Sequence, residues 1–459
     1  MNVIDAMEKG MKDSVLNALV EVVEKNPEKN VDKLFSLAKK LAKDETAQQQ
    51  IDFVFNYYKE NPATYELVQN ILTTTDKNCL KKFLVNFVSN ATWYGMPKRA
   101  KYLEYEDTKV PFTLLISPTM RCNLRCTGCY AGNYSKKDDI PFEEVDRIIG
   151  EARDLGIYYI VVLGGEPFFY DKMLDIYEKY NDVMFTPFTN GSLFNEELAD
   201  RIKKLGNVFP MFSLEGFEKE TDARRGKGTF ERVMKSMDLL KSRGILFGVS
   251  SATSKYNIDT VISDEFIDML IAKGAKMSWY FMYMPIGENP NVNDMLSPEQ
   301  RLRLGRRTRE IRNTKPYFTI DFFNDAPVVG GCIAGKYYCH INSKEDVEPC
   351  IFAHFACDNL KGKALIDIFR GPFFKELRSR QPYNNNLLLP CMMIDNTNVI
   401  REVVTKVHAY PTHPGAERMV EDPEFMKELD ELAENFKPYA EKEWKEVFNE
   451  TGNYEMAKG

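Results

Sequence analysis

Along the first hundred positions apolar residues recur at helical spacing: Val15, Leu19, Val22 and Val23, then Val31, Leu34, Leu37 and Leu41, then Phe83, Leu84, Phe87 and Val88. Breaks at Asn26-Pro27 and Asn61-Pro62 separate these segments, so the chain up to about Met96 is expected to be all-helical. It reads as a helical cap on a larger domain, with a docking surface for a substrate or partner as the alternative. Beyond residue 112 the period changes. Short apolar runs at 112–117, 158–163, 183–189, 209–213, 245–253 and 277–284 alternate with amphipathic stretches at 142–155, 172–180, 196–205, 230–243 and 264–273. Six strands with five helices between them predict βαβ units and a parallel sheet, open or curled into a partial barrel. In either form ligands gather at the carboxyl ends of the strands.

Composition narrows the class. The 459 residues, 44% hydrophobic and 28% charged, suffice for one large core plus a smaller domain or two and exclude a wholly disordered chain. A net charge of −7, with no basic block longer than Lys98-Arg99-Ala100-Lys101, argues against nucleic acid as the main partner and leaves only a local RNA contact open. The first residues lack the basic start and apolar run of a secretory signal, and no apolar run is long enough for a transmembrane segment; a cytoplasmic protein is expected. There the nine cysteines stay reduced, so clusters of them point to metal ligation or catalysis more than to disulfides. Cys79 stands alone among helix formers and reads as a buried free thiol.

The other cysteines fall into two groups. Cys122, Cys126 and Cys129 form a CxxxCxxC motif directly after the first strand. Three thiolates in one loop can converge on one metal centre and leave a coordination position for something else. Gly164, Gly165 and Glu166 follow the second strand, Asn190 ends the third, and Ser213 and Glu215 end the fourth. Glycine lets a ligand approach the backbone, and a glutamate carboxylate accepts hydrogen bonds from an ammonium group. A structural zinc knuckle is the alternative, but it wants a fourth ligand, and the nearest histidine in sequence is His340.

Over residues 112–394 these motifs resemble radical S-adenosylmethionine (radical SAM) enzymes with a SPASM or twitch-like C-terminal extension. The resemblance implies an α/β fold: a partial (β/α)6 TIM-like barrel with an all-helical N-terminal domain and a small C-terminal α+β cluster-binding domain. The expected divisions are 1–105, 106–315, 316–400 and 401–459. It further implies that Cys122, Cys126 and Cys129 bind three irons of a [4Fe-4S] cluster whose fourth iron is chelated by the amino and carboxylate groups of SAM. Reductive cleavage then yields a 5′-deoxyadenosyl radical that abstracts hydrogen from an unactivated C–H bond. Glu166, in the Gly164-Gly165-Glu166 motif, is expected at the SAM amino group, Ser213 and Glu215 at the ribose, and Arg225 at the carboxylate, with Arg224 adjacent. Asn190 joins this SAM-binding set. Family members carry an aromatic residue just before the third cysteine. Here that position is Gly128 and the aromatic Tyr130 follows, which leaves the adenine contact open with Tyr130 as a candidate. The run 279–285 offers further apolar surface for adenine, or ordinary core aromatics.

The second group is Cys332, Cys339, Cys350, Cys357 and Cys391. Residues 340–347 read as a β-hairpin with its turn near 343–346, followed by a helix over 365–378. The resemblance implies one auxiliary [4Fe-4S] cluster on Cys332, Cys339, Cys350 and Cys391, with Cys357 left over or replacing Cys339; a zinc site or free thiols are the alternatives. A cluster with four protein thiolates would serve electron transfer, product oxidation or the fold. His340 and His354 read as surface histidines, with hydrogen bonding to the cluster as the alternative. Residues 421–448 read as one or two amphipathic helices covering the domain. The expected function is a radical SAM oxidoreductase acting on a peptide or protein, with a lipid or other hydrophobic small molecule as the alternative substrate and a non-catalytic iron-sulfur scaffold as the alternative class. An electron donor such as flavodoxin or ferredoxin is implied.

Overall fold

Six short strands, β1 (Thr113–Ile116), β2 (Tyr159–Val162), β3 (Met184–Thr189), β4 (Met211–Ser213), β5 (Gly248–Thr253) and β6 (Met277–Met282), pair in parallel in chain order. Each lies inside one of the six apolar runs. The structure is a computed structural model and describes residues 27–41, 45–132, 139–287 and 290–448; the helical pattern at 15–23 and the break at Asn26 lie outside these. Helices Phe142–Asp154, Met173–Lys179, Glu196–Leu205, Thr229–Lys241 and Asp264–Lys273 occupy the expected intervals. A further helix, Glu218–Arg225, follows β4 and ends at Gly226.

The sheet is wider than the sequence pattern indicated. β7 (Phe318–Asp321) adds in parallel beside β6, and β8 (Tyr338–Ile341) adds in parallel on the other side of β1, so the order is β7-β6-β5-β4-β3-β2-β1-β8-β9. β9 (Val347–Glu348) turns back antiparallel on β8 and forms the expected hairpin, which continues the main sheet. Thr113, Val161, Phe188, Ser250, Trp279 and Tyr338, from six different strands, line one cavity, so the sheet curls into a partial barrel. Strand alternation sets the two faces. On β6, Trp279 and Phe281 face the cavity, while Ser278 bonds the Tyr317 hydroxyl at 2.8 Å and Tyr280 donates to Val261 O at 3.0 Å on the helix side.

Helical residues close the amino ends of the strands. The Phe87 ring meets Tyr159, at the start of β2, at 5.1 Å, and Asn86 Nδ2 donates to the carbonyls of Asn181 and Val183. Val31, Tyr58, Leu72 and Leu80 make a small core of their own. Cys79 is buried, as expected of a free thiol among helices. At the other end of the chain, helix Pro423–Glu443 lies against helix Pro298–Thr314: the Arg301 guanidinium sits 3.9 Å over the Phe436 ring, and buried Glu443 pairs with Arg306 and Arg309. The helix expected over 365–378 is two, Leu365–Phe369 and Pro372–Ser379, because Pro372 donates no amide hydrogen and opens a new helix after Gly371. Among the described residues no helix is long and apolar enough to cross a membrane.

Candidate active site

Cys122, Cys126 and Cys129 stand in the loop after β1 and all three line a cavity of about 400 Å³ at the carboxyl end of the sheet. The loop after β2 packs on them backbone to backbone. Gly165 N donates to Thr119 O at 3.0 Å and Glu166 N to Arg121 O at 2.8 Å. A Cβ on Gly165 would sit 2.2 Å from Arg121 O, and Gly164 has φ +116°, so only glycine fits this contact. Among the described residues no three His, Cys, Asp or Glu side chains are close enough to hold a single metal ion. One zinc would draw its thiolates to about 2.3 Å from a common centre, whereas the thiolates of an iron-sulfur cube bind separate irons further apart. The three thiols of the loop share one cavity wall.

Gly164, Gly165, Asn190, Ser213, Arg225 and Tyr130 all border this cavity. Asn190 Nδ2 donates to Asn123 Oδ1 at 2.9 Å and lies 3.7 Å from Cys122 Sγ, so it steadies the first cysteine. Glu166 is placed differently. It is wholly buried behind the loops and accepts from Thr189 Oγ1 at 2.7 Å, Asn190 N at 2.7 Å and Phe168 N at 3.3 Å. This carboxylate ties the end of β2 to the end of β3. Burial pushes it up to about 7 against these hydrogen bonds.

Glu215 is also buried, with a different partner set. Its Oε1 accepts from Arg224 Nη1 at 2.6 Å and from Arg225 Nε and Nη2 at 2.8 and 2.6 Å, and its Oε2 accepts from Ala252 N at 3.0 Å. Burial alone would raise this carboxyl, but the two guanidiniums hold it below its ordinary value. Two cations on one anion leave the trio with a net positive charge facing the cysteines: Arg225 Nη1 is 4.0 Å from Cys126 Sγ, and Arg224 Nη2 donates to Gly128 O at 3.3 Å. Both arginines line the cavity, so Arg224, carried by the sequence only as a neighbour, belongs to the same cationic edge. The rest of the wall is apolar. Trp279 and Phe281 stack at 5.5 Å, and Phe281 meets Phe322 at 5.1 Å and Phe188 at 6.0 Å.

The second cysteine group divides. Cys332, Cys350 and Cys391 line one smaller cavity of about 120 Å³, and Tyr338 Oη donates to Cys350 Sγ at 2.8 Å. Cys339, expected among these ligands, is not brought to them. It sits on β8 in register with Leu114, on the face opposite to Tyr338, and is fully buried among apolar side chains. Cys357 also lies elsewhere, its thiol 3.6 Å from Val407 O. His340 and His354 are buried, correcting their reading as surface residues: His340 Nδ1 is 2.6 Å from Glu348 Oε2, and its Nε2 is 2.7 Å from Ser117 Oγ. The signal for this was the alternation of the hairpin, which puts His340 across from Glu348.

Comparison with known proteins gives a consistent picture. The model of the Radical SAM superfamily matches residues 116–261. The chain is 30% identical over 269 residues to a GTP 3′,8-cyclase of Desulforamulus reducens, an alignment covering 54% of this chain and 77% of that protein. It is 23% identical to an AdoMet-dependent heme synthase of Nitratidesulfovibrio vulgaris, over 58% of this chain and 80% of the relative. In three dimensions it resembles SuiB of Streptococcus suis, solved bound to the precursor peptide SuiA, with a TM-score of 0.53 and 20% identity over 69% of this chain and 83% of that one.

Proposed function

We propose, given that this chain belongs to the radical SAM superfamily and is an enzyme of it, that it abstracts a hydrogen atom from an unactivated C–H bond of a peptide or protein. The cofactors of that family are SAM and a [4Fe-4S] cluster, which when bound supply the 5′-deoxyadenosyl radical that removes the hydrogen. One observation carries the reading: the three CxxxCxxC thiols open on the same cavity as Arg224 and Arg225.

Cys122, Cys126 and Cys129 are the residues to hold the cluster. The guanidinium edge of Arg224 and Arg225, charged in excess over Glu215, suits a carboxylate, and bidentate geometry is what arginine offers there. The bare edges of Gly164 and Gly165, with Asn190 and Ser213, provide polar backbone and side-chain contacts for a small polar ligand. Glu166 acts one step back, by fixing the loop that carries Asn190. Tyr130 and the ring cluster from Phe188 to Phe322 exclude water from the reacting carbon. Cys332, Cys350 and Cys391 are the residues for an auxiliary [4Fe-4S] cluster.

The peptide in SuiB supports a peptide substrate by likeness of fold. A hydrophobic small molecule is the second reading, favoured by the aromatic wall. The cytoplasm is the proposed compartment, and a small redox protein such as flavodoxin or ferredoxin the proposed electron donor. Anaerobic purification, reconstitution with iron and sulfide, and dithionite reduction should release 5′-deoxyadenosine from SAM. Absence of that product with clusters demonstrably present would sink the reading.

A further inference from the structure

His340 and His354, which the proposed reaction does not use, join with His413 in one buried network around the cysteine loop. Ser117 starts that loop directly after β1; its hydroxyl lies 2.7 Å from His340 Nε2, and His340 Nδ1 lies 2.6 Å from Glu348 Oε2. The other oxygen of this carboxylate accepts from Asn342 Nδ2 at 3.1 Å and from the Thr412 hydroxyl, and lies 3.8 Å from His354 Nδ1. The His354 ring stacks on His413 at 4.9 Å. His413 Nε2 is 2.6 Å from Gly132 O, and its Nδ1 is 2.7 Å from Pro414 O. Ser117, His340, Glu348, His354 and His413 are each no more than 3% exposed.

The network therefore grips both ends of the loop that carries Cys122, Cys126 and Cys129. Gly132 N donates to Cys129 O at 2.9 Å, so the carbonyl beside His413 belongs to the turn that follows the third cysteine. Strand pairing builds this arrangement. β8 lies in register with β1, which brings His340 to Ser117. β10 (Phe355–Ala356) pairs antiparallel with β11 (Tyr410–Pro411), and Thr412 N continues the pairing by donating to His354 O at 2.9 Å, which sets His413 against His354. A satisfied buried network rigidifies the segments it joins, and partners behind metal ligands orient them. On its other side the loop faces the cationic edge, Arg225 Nη1 being 4.0 Å from Cys126 Sγ, so a shift at Gly132 changes the spacing between thiols and guanidiniums. We infer that His413 is a positioning residue: its bond to Gly132 O, backed by His354 and Glu348, sets the loop thiols against Arg224 and Arg225 and thereby the affinity for SAM. This rests on the proposal that Cys122, Cys126 and Cys129 hold the cluster that SAM joins.

His413→Phe keeps a ring against His354 and removes the donor, whereas His413→Gln keeps an N–H donor and removes the ring. The full-length variants, reconstituted with iron and sulfide and reduced, are titrated with SAM while the electron paramagnetic resonance signal of the cluster is followed. Release of 5′-deoxyadenosine gives KM and kcat alongside. At equal iron per chain, His413→Phe should need about tenfold more SAM for half of the spectral change and show a raised KM with kcat little altered, as expected when a partner behind a ligand is lost. His413→Gln should titrate within about twofold of the unaltered chain, because the donor is retained. Ser117→Ala removes one buried oxygen at the other end of the loop and should shift the titration in the same direction, so the test does not hang on the folding of His413→Phe. A folded His413→Phe or Ser117→Ala chain that titrates like the unaltered one, or a His413→Gln chain as impaired as His413→Phe, overturns the inference alone. An unaltered chain whose signal does not respond to SAM overturns it together with the enzymatic reading.

Discussion

Tyr283 Cε2 lies 2.6 Å from where a Cβ on Gly128 would stand, one residue before the third cysteine of the loop. Gly128 has φ +62°, and the Tyr283 hydroxyl accepts from Asn291 N at 3.2 Å, which fixes the ring. The space beside position 128 is thus filled by the ring of the residue that follows β6. Gly128→Ala should destabilise the chain by about 1–3 kcal/mol, from left-handed strain plus the clash. Tyr283→Leu added to it should recover the clash part, giving a coupling energy of about 0.5 kcal/mol or more in denaturant unfolding. Strictly additive losses would show that the ring does not restrict the loop.

Cys126→Ala should abolish reductive SAM cleavage, because two thiols cannot hold the cluster beside Arg225. Cys79→Ala, in the helical base and far from the cavity, should leave cleavage within about twofold of the unaltered chain. Released 5′-deoxyadenosine, measured by chromatography against iron content, reads both. Equal losses in the two variants would mean that the thiols act through folding and not through the site.

The six central strands were legible because a buried parallel strand is a short apolar run, and the runs were separated by amphipathic helices of regular length. The placement of the loop motifs was legible for the same reason, since each motif stood at the carboxyl end of a strand. What escaped were features set by pairing across long separations. Residues 338–341 carry a cysteine and a histidine and look like a ligand cluster, yet their partner is β1, more than two hundred residues earlier, and that pairing turns Cys339 away and His340 inward. Glu166 was read from its motif as a ligand contact; its occupation by Thr189, Asn190 and Phe168 depends on how the end of β3 meets the end of β2. β7 was missed because Phe318 is exposed at a sheet edge, where alternation is weak.

Glu166 should make stability depend on pH in an unusual direction. Burial raises its carboxyl from 4.5 to about 7 in the folded chain. A raised folded-state value means the contribution is full below about pH 4.5 and is lost as pH rises through about 7. Glu166→Gln carries no titrating group there, so the stability difference between the two proteins isolates the effect. That difference should move against the unaltered chain by on the order of 3 kcal/mol across this window. Urea unfolding at several pH values checks it, and a flat difference would return Glu166 to its ordinary range.

Asp395 couples the auxiliary site to the C-terminal helix. Its side chain is fully buried and accepts from Arg301 Nη1 and Nη2 at 2.6 and 3.0 Å, while its Oδ2 also accepts from Cys391 N at 3.0 Å. Arg301 in turn rests on Phe436 of helix Pro423–Glu443 and donates to Leu388 O at 3.2 Å. Removing one charge of a buried pair leaves the other unpaired, which typically costs about 3–5 kcal/mol. Asp395→Asn should therefore destabilise the chain by that order, and should also loosen Cys391 by weakening the bond to its amide. Arg301→Met combined with Asp395→Asn should regain much of the stability, because no lone charge is left inside. Iron retention at the second site should not recover in the double variant, since the acceptor for Cys391 N is still altered. Unfolding midpoints together with iron per chain separate the two effects. Recovery of both, or of neither, would mean that Asp395 acts on stability alone and does not position Cys391.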